Sequence, residues 1–210
     1  MPSLWPEGMA DRARVRCRCS AVEGCLADAS SRSVNRVICY CADCQAFAHY
    51  LGRADLLDGH GGSDIVQVAP TSLVISRGNE HIAGLRLTPD GLFRFYARCC
   101  NTPLGNVLGP GLPFVGVIVQ AFDTGEKSID GTFGAPRGMI HGRYAVGGTP
   151  KGSTKFNLRL IARAVFLICS WRLTGRQWPH PFFDRRTRAP ARPIAILTSA
   201  EREALRHRSG

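Results

Sequence analysis

Charged and apolar positions alternate strictly through residues 12–19. Arg12, Arg14, Arg16 and Arg18 take one parity, and Ala13, Val15, Cys17 and Cys19 the other. Period two predicts a strand with arginines on one face and both thiols on the opposite face. A second apolar run, residues 34–38, predicts a strand that leads directly into Cys39. Residues 42–51 contain no Gly, Pro or β-branched residue, which predicts a short helix. Gly59, Gly61 and Gly62 mark a loop. Strands are then predicted over 64–68 and 73–76, with an Ala-Pro-Thr break between them. Residues 81–87 and 92–97 flank Thr88-Pro89-Asp90-Gly91, a turn in which Pro presets φ, Asp bonds back to the backbone and Gly takes a positive φ. That hairpin delivers Cys99 and Cys100. One more apolar, β-branched strand is predicted over 114–120.

The pattern then changes. Residues 131–152 are rich in Gly and Pro without a period and predict loop, with one strand around 140–146. Through 154–173, Lys155, Arg159, Arg163 and Ser170 recur at helical spacing opposite Leu158, Ile161, Val165, Ile168 and Trp171. This predicts an amphipathic helix packed on the parent domain by that apolar face, the alternative being a membrane surface or a partner. A Pro- and Arg-rich tail, 178–193, follows. A small helix over 200–206 ends the chain, with Thr198 and Glu201 in capping-box register.

Composition bounds the fold without deciding the function. The chain has 210 residues, of which 44% are hydrophobic, enough for a core without disulfide staples. One compact domain over 12–150 with a C-terminal extension over 151–210 is the expected organisation. Residues 1–10 lack the basic-then-apolar pattern of a secretory signal, and the apolar stretch 164–171 is far short of the ~20 residues that cross a bilayer. A soluble cytoplasmic protein is expected. The net charge of +11 invites a nucleic-acid partner, but only Lys127, Lys151 and Lys155 of the 27 basic residues are lysines. An arginine excess beside abundant Ala, Gly and Pro reads as the composition of a GC-rich genome, so nucleic acid is not the favoured partner.

The cysteines carry the chemistry. There are nine, an odd number with adjacent and one-apart pairs, which is poor disulfide geometry. Seven fall into three tight groups: Cys17 with Cys19; Cys39, Cys41 and Cys44; and Cys99 with Cys100. Clustered thiolates suit a soft divalent ion such as zinc. Cys39, Cys41 and Cys44 sit where a strand passes into a helix, so three thiols can curl round one ion near the helix N-terminus. Three protein ligands leave a coordination position open, the mark of a catalytic zinc; the alternative is a fourth ligand such as Cys100 closing the site. Cys17 and Cys19 with the late pair suggest a second, structural site. Neighbouring strand residues point to opposite faces, so Cys99 and Cys100 can share one ion only if the backbone bends at Asn101-Thr102-Pro103. Cys25 and Cys169 have no partner at metal spacing and are expected to be buried apolar residues. His49 lies one turn beyond Cys44, where it is expected to pack or face solvent. His60 and His141 lie in glycine-containing loops.

Cys-x-Cys, then Cys-x-Cys-x-x-Cys about twenty residues on, then a Cys pair before Thr-Pro-Leu-Gly, resembles the glutathione-dependent formaldehyde-activating enzyme family, which includes centromere-protein-V-like proteins. The resemblance covers roughly residues 12–150 and implies a mainly β fold, a zinc-binding β-tent of antiparallel sheets. It further implies a structural zinc on Cys17, Cys19, Cys99 and Cys100, and a catalytic zinc on Cys39, Cys41 and Cys44. The family's late pair is usually Cys-x-x-Cys-Gly, a register in which this chain has Ala97 and Asn101. Tyr40 and Gln45 stand where the family tends to have His and Arg. The expected function is carbon–sulfur lyase-like chemistry on thiol–aldehyde adducts, with glutathione as the small-molecule thiol. The competing expectations are a zinc-stabilised module without turnover and a nucleic-acid-associated protein using the arginines of the first strand and Arg185, Arg186, Arg188 and Arg192. Oligomeric state is not legible in the chain.

Overall fold

A computed structural model describes residues 12–154 and 157–206. Residues 1–10 and Lys155, which entered the sequence reading, lie outside the described residues. The chain is mainly β. In order the elements are β1 (Ala13–Arg16), β2 (Glu23–Leu26), β3 (Asn35–Cys39), α1 (Ala42–Tyr50), β4 (Ser63–Val68), β5 (Leu73–Arg77), β6 (Ile82–Arg86), β7 (Phe93–Ala97), β8 (Thr102–Val107), β9 (Val115–Ile118) and β10 (Phe122–Asp123). There follow α2 (Ile129–Phe133), β11 (Met139–Ile140), α3 (Leu158–Leu173), β12 (Ile194–Ile196) and α4 (Ser199–Arg206).

Two sheets form, β10-β1-β2-β5 and β11-β3-β4-β9-β8-β7-β6-β12. Pairing is antiparallel except at the two edges of the larger sheet, where β11 joins β3 and β12 joins β6 in parallel. Strand alternation gives the larger sheet two apolar faces. On one, Val66, Phe95, Leu104, Val115 and Val117 pack with Val15 and Leu26 of the smaller sheet and with Val22 of the turn between its first two strands. On the other, Val37, Ile65, Leu85 and Tyr96 pack with Phe47 and Ala48 of α1 and with Leu51 just after it. The second face carries Cys39, so α1 and the end of β3 share one apolar environment.

The C-terminal segment completes this core. Phe182 stacks on Phe95 with ring centroids 4.3 Å apart, and Phe183 meets Phe95 edge-on. Gly105 on β8 makes room for it, since a Cβ there would stand 2.6 Å from the Phe182 ring. Beyond the tail, β12 pairs in register with β6, Ile194 opposite Gly84. The capping box is formed: Glu201 N–H donates to Thr198 Oγ1 and Thr198 N–H to the Glu201 carboxylate.

Four expectations need correction. The strand expected around 140–146 is only the two-residue β11, with a single helical turn over Gly142–Tyr144 after it. α3 forms, but it buries Leu160, Leu167 and Trp171, while Leu158, Ile161 and Val165 are exposed. The helix is apolar nearly all round, so its period does not select a face. Arg163 does, by donating to the carbonyls of Ser31, Arg32 and Val34. Cys169 falls on the exposed side and Cys25 is half-buried, so neither is the buried residue expected. Finally, β1 stops at Arg16, and Cys19 lies in a turn instead of sharing the buried face of Cys17.

Candidate metal centres

The first centre is built from two turns. After β1 the chain reverses at once: Ser20 takes φ +61°, Ser20 N–H donates to Cys17 O, and Cys17 N–H to Val22 O. The reversal brings Val22 N–H to 3.2 Å from Cys17 Sγ, a donor aimed at sulfur. The other turn joins β7 to β8. Asn101 adopts φ +55°, and its side-chain amide donates to Leu51 O at 3.0 Å. This is the bend that lets adjacent cysteines face one point. Arg18 N–H donates to Thr102 Oγ1 at 3.0 Å and fastens the two turns together.

The four sulfurs of Cys17, Cys19, Cys99 and Cys100 lie within 4.8 Å of one another. Individual separations are 3.6 Å (Cys17–Cys19), 3.2 Å (Cys19–Cys99), 3.9 Å (Cys17–Cys99) and 3.9 Å (Cys99–Cys100). A tetrahedral zinc with sulfur bonds of about 2.3 Å separates its sulfurs by about 3.8 Å. The donor set therefore fits a metal ion with four protein ligands. Burial and the neighbouring thiols push Cys17 and Cys99 up, while Cys100, against its own burial, is drawn down to about 6 by hydrogen bonds from Thr102 and the Cys19 backbone. A packed sulfur set releases one proton readily and holds the others until a cation arrives.

The second centre lies at a strand-to-helix junction. Cys39 ends β3, Cys41 takes the N-cap position of α1 with extended backbone, and Cys44 sits in its first turn, its N–H donating to Cys41 O. The three sulfurs lie within 4.8 Å of one another, Cys39 and Cys44 at 3.9 Å. Cys39 and Cys44 are buried and Cys41 is half-buried. Hydrogen bonds among the thiols push Cys39 up. Cys41 rises to about 12 because Cys44 and burial outweigh its bond to Cys39. Cys44 is pulled well down by the thiols of Cys39 and Cys41 and then by the guanidinium of Arg94.

Tyr40 and Gln45 brace this junction. Tyr40 OH donates to Asp58 at 3.0 Å, and Gln45 Nε2 donates to Tyr40 O at 2.8 Å and to Tyr144 O at 2.9 Å. Gly62 lets Tyr40 lie close, since a Cβ there would stand 2.6 Å from its ring.

All seven candidate cysteines are thus brought together, in two groups. Cys100 belongs to the four-thiol group, which removes it as a closing ligand for Cys39, Cys41 and Cys44. Among the described residues His49, His60 and His141 join neither group; the His60 ring pairs with Val146 O. Arg94 escaped the sequence reading. It is 1% exposed and lies on the α1 face of β7, with Nη1 3.9 Å from Cys44 Sγ and 3.4 Å from Asn106 Oδ1. The signal was present: a charge inside the apolar run Phe93-Arg94-Phe95-Tyr96-Ala97, on the parity opposite Phe95.

A cavity of about 280 Å³ is lined by Met139, Ile140, His141, Arg143, Asn157 and Leu160 among others, with none of the three cysteines in its wall. Ile140 pairs in register with Cys39, so their side chains neighbour on one face. Arg143, lying over the Tyr144 ring, adds a cation to the cavity wall.

Residues 9–194 match the model of DUF6151, a family of unknown function, and the chain belongs to that family. No curated protein matches it.

Proposed function

We propose that this DUF6151 protein is a zinc-dependent carbon–sulfur lyase-like enzyme acting on thiol–aldehyde adducts of the glutathione and formaldehyde type. One observation carries the reading: two thiol groups of the same chemistry differ in donor number, four at Cys17, Cys19, Cys99 and Cys100 and three at Cys39, Cys41 and Cys44. Four protein ligands close a structural site, and three leave a position for an exchangeable ligand. When bound at the three-thiol centre, zinc supplies a Lewis acid that favours the thiolate form of a fourth ligand. The resemblance to the glutathione-dependent formaldehyde-activating family supports the same division of labour.

The chain's own residues supply place and access. The braces from Tyr40 and Gln45 fix the three sulfurs, and the cavity beside Ile140 offers room for a small thiol. Arg143 in its wall suits a carboxylate of glutathione. In the adduct reaction a carbon–sulfur bond forms between thiol sulfur and aldehyde carbon as the carbonyl oxygen takes the thiol's proton, and the reverse breaks that bond. Nine free cysteines support a reducing, cytoplasmic compartment. No helix among the described residues is long and apolar enough to cross a membrane.

A zinc-stabilised module without turnover is the second reading, favoured by the burial of Cys39 and Cys44. Cobalt-substituted protein titrated with glutathione and with formaldehyde separates the two. The enzyme reading expects the ligand-field band to shift on thiol addition and the shift to vanish in Cys41→Ser. A spectrum unmoved by either addition at alkaline pH establishes a closed site and the module.

A further inference from the structure

Arg94 is a buried cation without an acid. At 1% exposure it has no carboxylate partner among the described residues. Its polar contacts are Asn106 Oδ1 at 3.4 Å and Cys44 Sγ at 3.9 Å, its guanidinium carbon lies 5.1 Å from the centre of the Phe47 ring, and Nη2 has no partner. A charge removed from water at this depth is costly unless an opposite charge meets it. The neutral amide and the ring give partial relief only. The group it faces, three thiols, keeps a matching charge when it holds the ion that the donor set suggests: a divalent ion held by three thiolates carries one net negative charge.

We propose that Arg94 is the counter-charge of the three-thiol centre, a positioning residue that fits it to a divalent cation and disfavours a trivalent one. The reading rests on the metal site proposed above and adds to it. With a divalent ion the three thiolates total −1, and the guanidinium brings the buried assembly to neutrality. With a trivalent thiophile such as arsenic(III) the three thiolates are already neutral, and Arg94 is left as an uncompensated buried charge. The four-thiol centre includes the exposed Cys19 and Cys99 and lets solvent screen its charge. No arginine hydrogen-bonds to its sulfurs among the described residues. Arg53, paired with Asp55, stands within electrostatic reach of Cys100 without a hydrogen bond to sulfur, so a buried guanidinium in contact with a ligand sulfur is a feature of the three-thiol centre alone among the described residues.

Asn106→Asp tests this without removing the arginine. It places a carboxylate beside Arg94 and diverts the charge, while keeping the size of the side chain. Zinc affinity at the three-thiol centre, measured by chelator competition on the full chain with the four-thiol centre loaded, is expected to fall 10- to 100-fold, the range seen when groups behind metal ligands are altered. Arsenite affinity is expected to hold or rise. Arg94→Met is expected to act in the same direction, and Arg94→Lys, which keeps the charge, to retain zinc within a few-fold. Zinc and arsenite affinities falling together would mark Arg94 as packing only, and unchanged zinc affinity in Asn106→Asp would overturn the proposal outright. Should Asn106→Asp fail to fold, Arg94→Met holding zinc as wild type does overturns it equally. A wild-type chain that takes no metal at Cys39, Cys41 and Cys44 refutes the metal site itself, an outcome distinct from variants that match wild type.

Discussion

At the four-thiol centre, two sulfurs stand exposed on two turns distant in sequence, one between β1 and β2 and one between β7 and β8, whereas at the three-thiol centre the sulfurs come from six consecutive residues and two of them are buried. An ion at the first would fasten the two sheets together: Cys17 follows β1 of the smaller sheet, and Cys99 and Cys100 follow β7 of the larger. The second makes no such link, because β3 and α1 are already joined by two residues of chain, Tyr40 and Cys41. An ion that binds the folded chain alone adds to folding free energy at either site, and it adds more where it closes a long loop between distant segments than where it gathers local ones. The same donor thus serves two ends, and sequence separation tells them apart better than donor type.

The largest test of this contrast is Cys17→Ser. If the four-thiol centre staples two sheets, the variant loses more than about 4 kcal/mol of unfolding free energy, the class of effect that accompanies loss of a structural metal. Chelation of the wild type should lower the denaturant midpoint to the same degree. A variant as stable as wild type would show that the sheets hold without the staple.

Cys41→Ser should act more on binding than on folding. It is expected to remove one of two metal equivalents and cost less than about 2 kcal/mol, because α1 keeps Phe47, Ala48 and Leu51 against the larger sheet. Equal losses from Cys17→Ser and Cys41→Ser would erase the distinction between a staple and a local centre.

Protons sharpen the comparison further. Cys39 and Cys41 are raised, so both hold protons at neutral pH without metal and must release them to bind as thiolates. Metal affinity then rises with pH, by about 100-fold per unit for two protons. At the four-thiol centre Cys17 and Cys99 behave likewise, and Cys100, drawn down to about 6, keeps its proton only below that pH. Binding must displace that proton too once the pH falls under 6, so this centre's slope steepens there by about one. Metal-competition titrations from pH 5 to 8 read both slopes.

Much of this was legible in the chain, for a physical reason. Thiol ligands announce themselves by short spacing, so the seven cysteines and their two sites could be named before any fold was known, and β3, β4, β6, β7 and α1 followed from period and turn chemistry. What was not legible depended on distant partners. β8 contains Pro103 and Gly105 and reads as a bend, yet it is a wholly buried central strand, because the register shifts at Phe95/Tyr96 beside Pro103 and because Gly105 admits Phe182 from the tail. β12 and the buried Phe182 and Phe183 were hidden in a Pro- and Arg-rich segment for the same reason. Arg94 went unremarked because only the sheet turns it toward α1 and Cys44.

The smallest effect concerns thiols outside both centres. Cys169 is exposed on α3 beside the exposed Val165 and Phe166, and no metal group includes it. Cys169→Ser should change stability by less than about 0.5 kcal/mol and leave two metal equivalents in place. It also removes the exposed background thiol, leaving only the half-buried Cys25, from the one labelling experiment that sets exposure against ligand number. In the loaded Cys169→Ser protein the seven cluster thiols should resist a maleimide, since a metal-bound thiolate is a poor nucleophile. Under a limiting chelator, ligand number predicts that the three-thiol centre gives up its ion first, so Cys41 labels before the others despite lying deeper than Cys19 and Cys99. Labelling of Cys19 and Cys99 first, identified by peptide mass, would mean that solvent exposure and not donor count decides which ion leaves.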